Sequence, residues 1–193
     1  WLIVTNTEST LMNDEYVMGI DNGGTFTKAA IYDRTGKAVA SAAKSTQMLT
    51  PRPHHTERDI DELWAANLEV IKQALQQSGI DARQIKGIAI TGHGNGLYLV
   101  DERGRPVRHG IISTDSRAKQ LVEKWQNSPE FMSHILPKTM QSIWAGQPVA
   151  LLAWLKQHEP ESLHKTHTIF MVKDLIRFYL AGEAFLDLTD LSG

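Results

Sequence analysis

The chain has 193 residues, 41% hydrophobic and 22% charged, an ordinary globular composition with enough length for a real core. A net charge of −2, with no basic run and no aromatic-basic interleaving, argues against nucleic acid as a partner, and no apolar run approaches a membrane span. Cysteine is absent, which excludes disulfides and thiolate chemistry and is compatible with a reducing, cytoplasmic setting.

Residues 1–11 are only briefly apolar and lack the basic flank of a signal peptide. Met12 reads as a natural start, so 1–11 are expected to be a tag or an upstream extension. Tyr16–Ile20, Lys28–Tyr32 and Ala38–Ser45 then read as three short strands, with a turn at Asp33–Gly36. Between the first two lies Asp21-Asn-Gly23-Gly24-Thr25-Phe-Thr27-Lys28. A hairpin there is expected to leave the Gly23 and Gly24 amides bare, because neither carries a Cβ to hold an anion away. N–H donors beside Thr25, Thr27 and Lys28 suit a phosphate tail, and Asp21 suits the Mg²⁺ that accompanies one, directly or through water. A tight Gly-Gly turn with no ligand satisfies the same residues.

Thr50–Arg58 reads as a loop, with Pro51 and Pro53 blocking regular structure, and His54 and His55 within it give no metal-site spacing. Asp59-x-x-Glu62 then has the pattern of a capping box, and apolar residues recur at helical spacing from Ile60 to Leu75 until Ser78-Gly79. Ile85–Thr91 is a near-continuous apolar run, the signature of a buried parallel strand. Gly92-His93-Gly-Asn95-Gly96 interrupts it before a further strand at Leu97–Val100. This loop resembles a dinucleotide fingerprint superficially, but it opens onto a strand and so lacks the helix N-terminus a pyrophosphate needs. At the carboxyl end of a parallel strand, His93 and Asn95 suit the hydroxyls of a small polar ligand; a glycine-rich turn with a solvated histidine is the alternative.

Ile111-Ile112 feeds Ser-Thr-Asp115-Ser-Arg117, whose charged pair is read either as binding sugar hydroxyls or as an ion pair at the surface. Helices are expected at Ala118–Gln126, at Val149–His158 before Pro160, and at Lys173–Ala181 closed by Gly182, with a strand at Thr168–Met171. Trp64, Trp125 and Trp154 fall on helical periodicity and read as core. Trp144 lies on a loop and suits stacking on a sugar face. The sum is an α/β domain with a mixed sheet, opening on a hairpin meander rather than on the strand-helix-strand of a doubly wound fold.

Asp21-x-Gly23-Gly24-Thr25-x-x-Lys28, Thr56-Glu-Arg-Asp59, Ile90–Asp101, Gly110–Arg117, Leu151–Pro160 and Val172–Glu183, in this order, resemble the FGGY carbohydrate kinases across nearly all of residues 16–193. The Gly-Asn-Gly-Leu and Ser-Thr-Asp-Ser-Arg segments are similar to the branch that acts on L-xylulose and 3-keto-L-gulonate. The resemblance implies a ribonuclease-H-like (actin-like ATPase) domain, an α/β fold with a mixed sheet and flanking helices, truncated from a two-domain kinase. It implies ATP-dependent phosphorylation of a ketopentose hydroxyl with ATP and Mg²⁺, and a small-molecule sugar as substrate. Asp21 would lie near the metal and the transferring phosphoryl group, and Gly23, Gly24, Thr25, Thr27 and Lys28 would form the phosphate loop. His93, Asn95, Asp115, Arg117 and Trp144 would line the sugar pocket. Gly24 departs from the threonine many members carry. The catalytic aspartate and the adenosine-binding motif are expected beyond residue 193, so this piece alone is expected to be inactive. A homodimer is the default expectation for assembly, with neither nucleic acid nor membrane as partner. The Asp-x-Gly-Gly-Thr pattern also suits the ROK sugar kinases, whose cysteine-rich zinc motif has no counterpart here.

Overall fold

The computed structural model describes residues 15–190; the extension expected at 1–11 and the start expected at Met12 lie outside them. Three strands, β1 (Tyr16–Asn22), β2 (Phe26–Tyr32) and β3 (Ala38–Ser45), form an antiparallel meander. A two-residue strand, β4 (Glu57–Arg58), precedes the long helix α1 (Ile60–Ser78), and β5 (Ile85–Gly92) then pairs parallel with β1. The sheet order is β3-β2-β1-β5, mixed as the sequence predicts.

Strand alternation decides which face is covered. Met18, Ile20, Ala29, Ile31 and Ala42 point one way and bury against Val70 and Ala74 of α1. Asp59 caps α1 by accepting the Asp61 and Glu62 amides, and Gly79, at φ 66°, ends it in the left-handed region. Glu62 does not reach back to complete a capping box; its carboxylate accepts the Gln47 amide at 3.1 Å instead. Gly19, Asp21, Lys28 and Ala30 alternate onto the opposite face, which no helix covers among the described residues.

The second half adds β6 (Tyr98–Val100), β7 (Gly110–Ile111), α2 (Lys119–Gln126), α3 (Leu136–Thr139), α4 (Pro148–His158), α5 (Pro160–Lys165), β8 (Thr168–Phe170) and α6 (Val172–Ala181). β6 pairs antiparallel with β8, and β4 with β7. Both faces of β6 are buried: Tyr98 and Val100 pack with Phe170 and α6, whereas Leu97 and Leu99 pack with Leu151 and Leu155 of α4.

Three expectations change. The loop read at Thr50–Arg58 ends in β4, whose partner lies fifty residues on in β7. Pro160 not only stops α4 but opens α5 at its first position, where a missing N–H is harmless. β5 is not buried: it is an edge strand among the described residues, with Ile88 48% exposed. The three helical tryptophans are half-buried and pack against the margins of the core clusters.

Candidate functional site

The residues 23–25 join β1 to β2, and backbone hydrogen bonds fix the hairpin's base through the register of Asp21 with Lys28 and Asn22 with Thr27. Gly23 donates its N–H to the Phe26 carbonyl at 3.0 Å, so the expectation of a bare amide fails there: the turn closes on itself. The Gly24 and Thr25 amides make no hydrogen bond within the described residues. Neither glycine has a positive φ. A Cβ on Gly24 would meet nothing within 4 Å, and one on Gly23 only the Phe26 carbonyl at 3.5 Å. The chain's own backbone and packing therefore require no glycine at either position.

Thr27 leaves the predicted phosphate set. It is fully buried on the α1 face, and its hydroxyl donates to Asn22 Oδ1 at 3.2 Å. Asn22 and Asn67, both fully buried, exchange amide hydrogen bonds of 3.1 and 2.8 Å and pin the hairpin's base to α1. Asp21 and Lys28 point to the open face, where with Thr91 they end a groove of about 540 Å³ floored by Gly19, Ala30 and Ala89. No cluster of three metal-ligating side chains occurs among the described residues. A lone accessible carboxylate beside free amides fits Mg²⁺ bound chiefly by phosphate oxygens and water.

The second loop follows β5, the neighbour of β1. Asn95 (φ 59°) and Gly96 (φ 81°) take it through the left-handed region, which Asn and Gly tolerate best. The His93 N–H donates to the Asn22 carbonyl at 3.0 Å, tying this loop to the hairpin. Its Nε2 lies 2.9 Å from the hydroxyl of Tyr98, a fully buried residue. Burial pushes the His93 pKa below its ordinary value, and the Arg58 charge acts in the same direction against the opposing Gly94 carbonyl. The Asn95 side chain makes no hydrogen bond within the described residues.

Gly96 donates to the Gly146 carbonyl at 3.1 Å, and a Cβ on Gly146 would overlap the Ser113 carbonyl. The His93–Gly96 loop, Ser113 and the Trp144–Gln147 segment thus converge. Trp144 is 46% exposed beside them, its N–H on Gln147 Oε1 at 3.2 Å.

Asp115 and Arg117 pair with each other, and both side chains are fully buried rather than at the surface. Asp115 Oδ1 accepts the Arg117 backbone N–H and Nε, each at 2.9 Å. Its Oδ2 accepts Arg117 Nη2 at 2.9 Å and the Thr56 amide at 2.6 Å. Arg117 Nη2 also donates to Glu57 Oε1 at 2.6 Å, and its guanidinium stacks 5.1 Å from the Trp154 ring centroid. Arg108 bridges Glu57 to Glu159, at 2.6 Å from the latter. Burial works to raise the Glu57 pKa, but Arg117 and Arg108 outweigh it and hold the carboxyl below its ordinary value.

Sequence reasoning missed Glu57, Arg58 and Tyr98. Arg58 is 1% exposed, and its Nη2 donates to the Gly23 carbonyl at 3.0 Å and to the Gly24 carbonyl. Thr56-Glu-Arg-Asp59 was visible as a motif, but spacing carries no sign that its arginine reaches a hairpin more than thirty residues upstream.

Residues 16–193 match the N-terminal domain of the FGGY family of carbohydrate kinases. The chain belongs to that family. A probable L-xylulose kinase of Pasteurella multocida is 41% identical over 179 residues, covering 92% of this FGGY chain and 36% of that protein. The L-xylulose/3-keto-L-gulonate kinase of Escherichia coli is 39% identical over 170 residues, covering 87% of this chain and 34% of that protein. Among solved structures, a gluconate kinase of Lactobacillus acidophilus superposes with a TM-score of 0.85 at 28% identity, over 93% of this chain and 36% of that one. The mixed sheet and its meander are the actin-like ATPase fold of these sugar kinases. This FGGY chain spans about a third of the length of the curated relatives it matches.

Proposed function

We propose that this chain forms one side of the active site of an ATP-dependent kinase that phosphorylates a hydroxyl of a ketose, L-xylulose or 3-keto-L-gulonate. The observation that carries the reading is the pair of glycines at 23 and 24. They stand at two amides, of Gly24 and Thr25, with no partner among the described residues; the amide at 24 survives a larger residue such as the threonine many members carry, so it is the smallness of Gly23 that would serve a ligand. Bare amides, Lys28 and a nearby carboxylate suit a phosphate tail with its cation. The identity of about 40% to L-xylulose kinases supports the ketose.

Phosphoryl transfer depends on positioning and on stabilising charge around the transferred group. Gly24 and Thr25 would donate backbone N–H groups to phosphate oxygens, with Lys28 adding positive charge. Asp21 would hold Mg²⁺, which when bound neutralises charge on the phosphates. On the sugar side, the His93 Nδ1, held only by the Gly94 carbonyl at 3.4 Å, would offer one polar atom, Asn95 a donor and an acceptor, and Trp144 an aromatic face. Asp115 and Arg117 would act one layer back, keeping the Ser113 segment in place, because all their side-chain polar atoms but Arg117 Nη1 are engaged with the protein.

The test is a coupled ATP assay of the full-length protein against L-xylulose, D-xylulose, L-ribulose, D-ribulose, 3-keto-L-gulonate and glycerol. L-xylulose or 3-keto-L-gulonate is expected to give the highest kcat/KM. Asp21→Ala is expected to lose at least about 10²-fold in turnover while keeping its fold. No turnover with any ketose defeats the reading.

A further inference from the structure

The hairpin between β1 and β2 is held from behind by one side chain. Arg58 Nη2 donates to the carbonyl oxygens of both Gly23 and Gly24. In a trans peptide the C=O and the following N–H point in opposite directions. Drawing the Gly23 oxygen toward Arg58 therefore turns the Gly24 N–H away from it, and drawing the Gly24 oxygen inward does the same to the Thr25 N–H. These are the two hairpin amides without a partner, whereas the Gly23 N–H is consumed by the Phe26 carbonyl.

The charge of Arg58 is a second, independent observation. Its Nε and Nη1 are buried and find no hydrogen-bond partner, and the side chain makes no ion pair among the described residues. Arg117 is also buried and Arg108 partly so, yet each faces two carboxylates. A guanidinium taken out of water without a counter-charge is costly, and removal of the partner of a buried charge is among the most damaging changes a fold can suffer. Here the described residues supply no such partner, directly behind two outward-facing donors.

We propose that Arg58 is a positioning residue for the phosphates of ATP: its guanidinium clamps the Gly23 and Gly24 carbonyls so that the Gly24 and Thr25 N–H groups face a phosphate group. The phosphate's negative charge balances the guanidinium across the hairpin. Arg58 acts through the backbone and does not touch the nucleotide. The inference rests on the kinase reading above and is separable from it.

Three full-length variants test it. Arg58→Met removes donors and charge but keeps an unbranched stem, Arg58→Lys keeps a charge and donors, and Arg58→Gln keeps a donor without charge. ATP binding is measured by calorimetry without sugar, alongside KM for ATP and for the sugar and the amide resonances of Gly24 and Thr25 on ATP addition. Arg58→Met is expected to weaken ATP binding and raise the KM for ATP by at least about tenfold. The sugar KM is expected to stay within about twofold, the split that separates a lost phosphate contact from general damage. Arg58→Lys is expected to recover most of the loss, and the Gly24 and Thr25 resonances to respond to ATP in wild type and the Lys variant but not in the Met variant. A folded Met variant that binds ATP like wild type overturns the inference, as does a sugar KM that rises in step with the ATP KM. If Arg58→Met does not fold, Arg58→Gln decides, with an intermediate ATP affinity expected and an unchanged one overturning. Wild-type protein that binds no ATP overturns the kinase reading and this inference with it, whereas wild-type binding with indifferent variants overturns the inference alone.

Discussion

The cluster around Arg117 and the hairpin in front of Arg58 both bury a guanidinium, and they treat it in opposite ways. Around Arg117, Glu57, Asp115, Arg108 and Glu159 take up each other's charge, and the aromatic face of Trp154 covers the guanidinium. Nearly every polar atom there has a partner within the protein, with Arg117 Nη1 the exception, 3.9 Å from Glu159. At the hairpin, one arginine nitrogen serves two carbonyls and the rest of the group is unpaired among the described residues, while two amides face outward. The Arg117 cluster offers almost nothing to a ligand and holds the fold. The hairpin is electrostatically incomplete, and completing it is what a phosphate can do. The same residue type thus marks a strut in one place and, on the reading proposed above, a receptor in the other, and its partners tell the two apart.

If so, mutations should damage the two regions in different currencies. The largest loss of stability is expected for Arg117→Ala, about 3–5 kcal/mol in denaturant unfolding, because the buried Asp115 carboxylate loses its counter-charge and Glu57 keeps only Arg108. Activity should then fall only as the folded fraction falls. Gly146→Ala comes next: its Cβ would overlap the Ser113 carbonyl, and the required shift is expected to cost about 1–3 kcal/mol and to raise the sugar KM. Acid should act more weakly, in two steps. The unfolded chain takes up protons on His93 near pH 6.5 and on Glu57 near pH 4.5, the folded chain only at lower pH. The unfolded state therefore binds more protons on acidification, and stability should decline first below about 6.5 and again below about 4.5. Urea midpoints measured between pH 7 and 4 check this, and His93→Gln should remove the upper step. The smallest stability change is expected at Gly24→Ala, within about 0.5 kcal/mol, since the added methyl meets nothing in the protein. At Gly23 the same change should weaken ATP binding, which titration of the full-length protein would show.

Much of the frame was legible in the sequence because local rules agree there. The meander, α1 and β5 follow from alternation, a capping aspartate and a terminal glycine, each acting within a few residues. β4 was not legible: two residues after a proline-rich loop become a strand only by pairing with Gly110–Ile111. The exposure of β5 was not legible either, because an apolar run reports what a strand tends to bury and not whether a neighbour is there to bury it. For the site, the glycine pair and the His93–Gly96 loop announced themselves through composition. Thr27 was misread because period-two alternation places it on the α1 face, opposite Lys28, a consequence that the hydroxyl's chemistry obscured. Asp115 and Arg117 were found as a pair, but their depth depends on Thr56, Glu57 and Trp154 arriving from elsewhere in the chain.

The parallel pairing of β1 with β5 has a consequence for rate. Asp21 lies opposite Thr91 and Asn22 opposite Gly92, so the β1–β2 hairpin and the His93–Gly96 loop leave adjacent strands at the same height. Neighbouring strands sit about 4.8 Å apart, a spacing set by backbone hydrogen bonds and insensitive to side-chain changes. In the proposed reaction the nucleotide's phosphates and the sugar's hydroxyl would meet above that pair of strands. A large part of the effective molarity that brings donor and acceptor together would then already be in place when the sheet folds, before either substrate arrives.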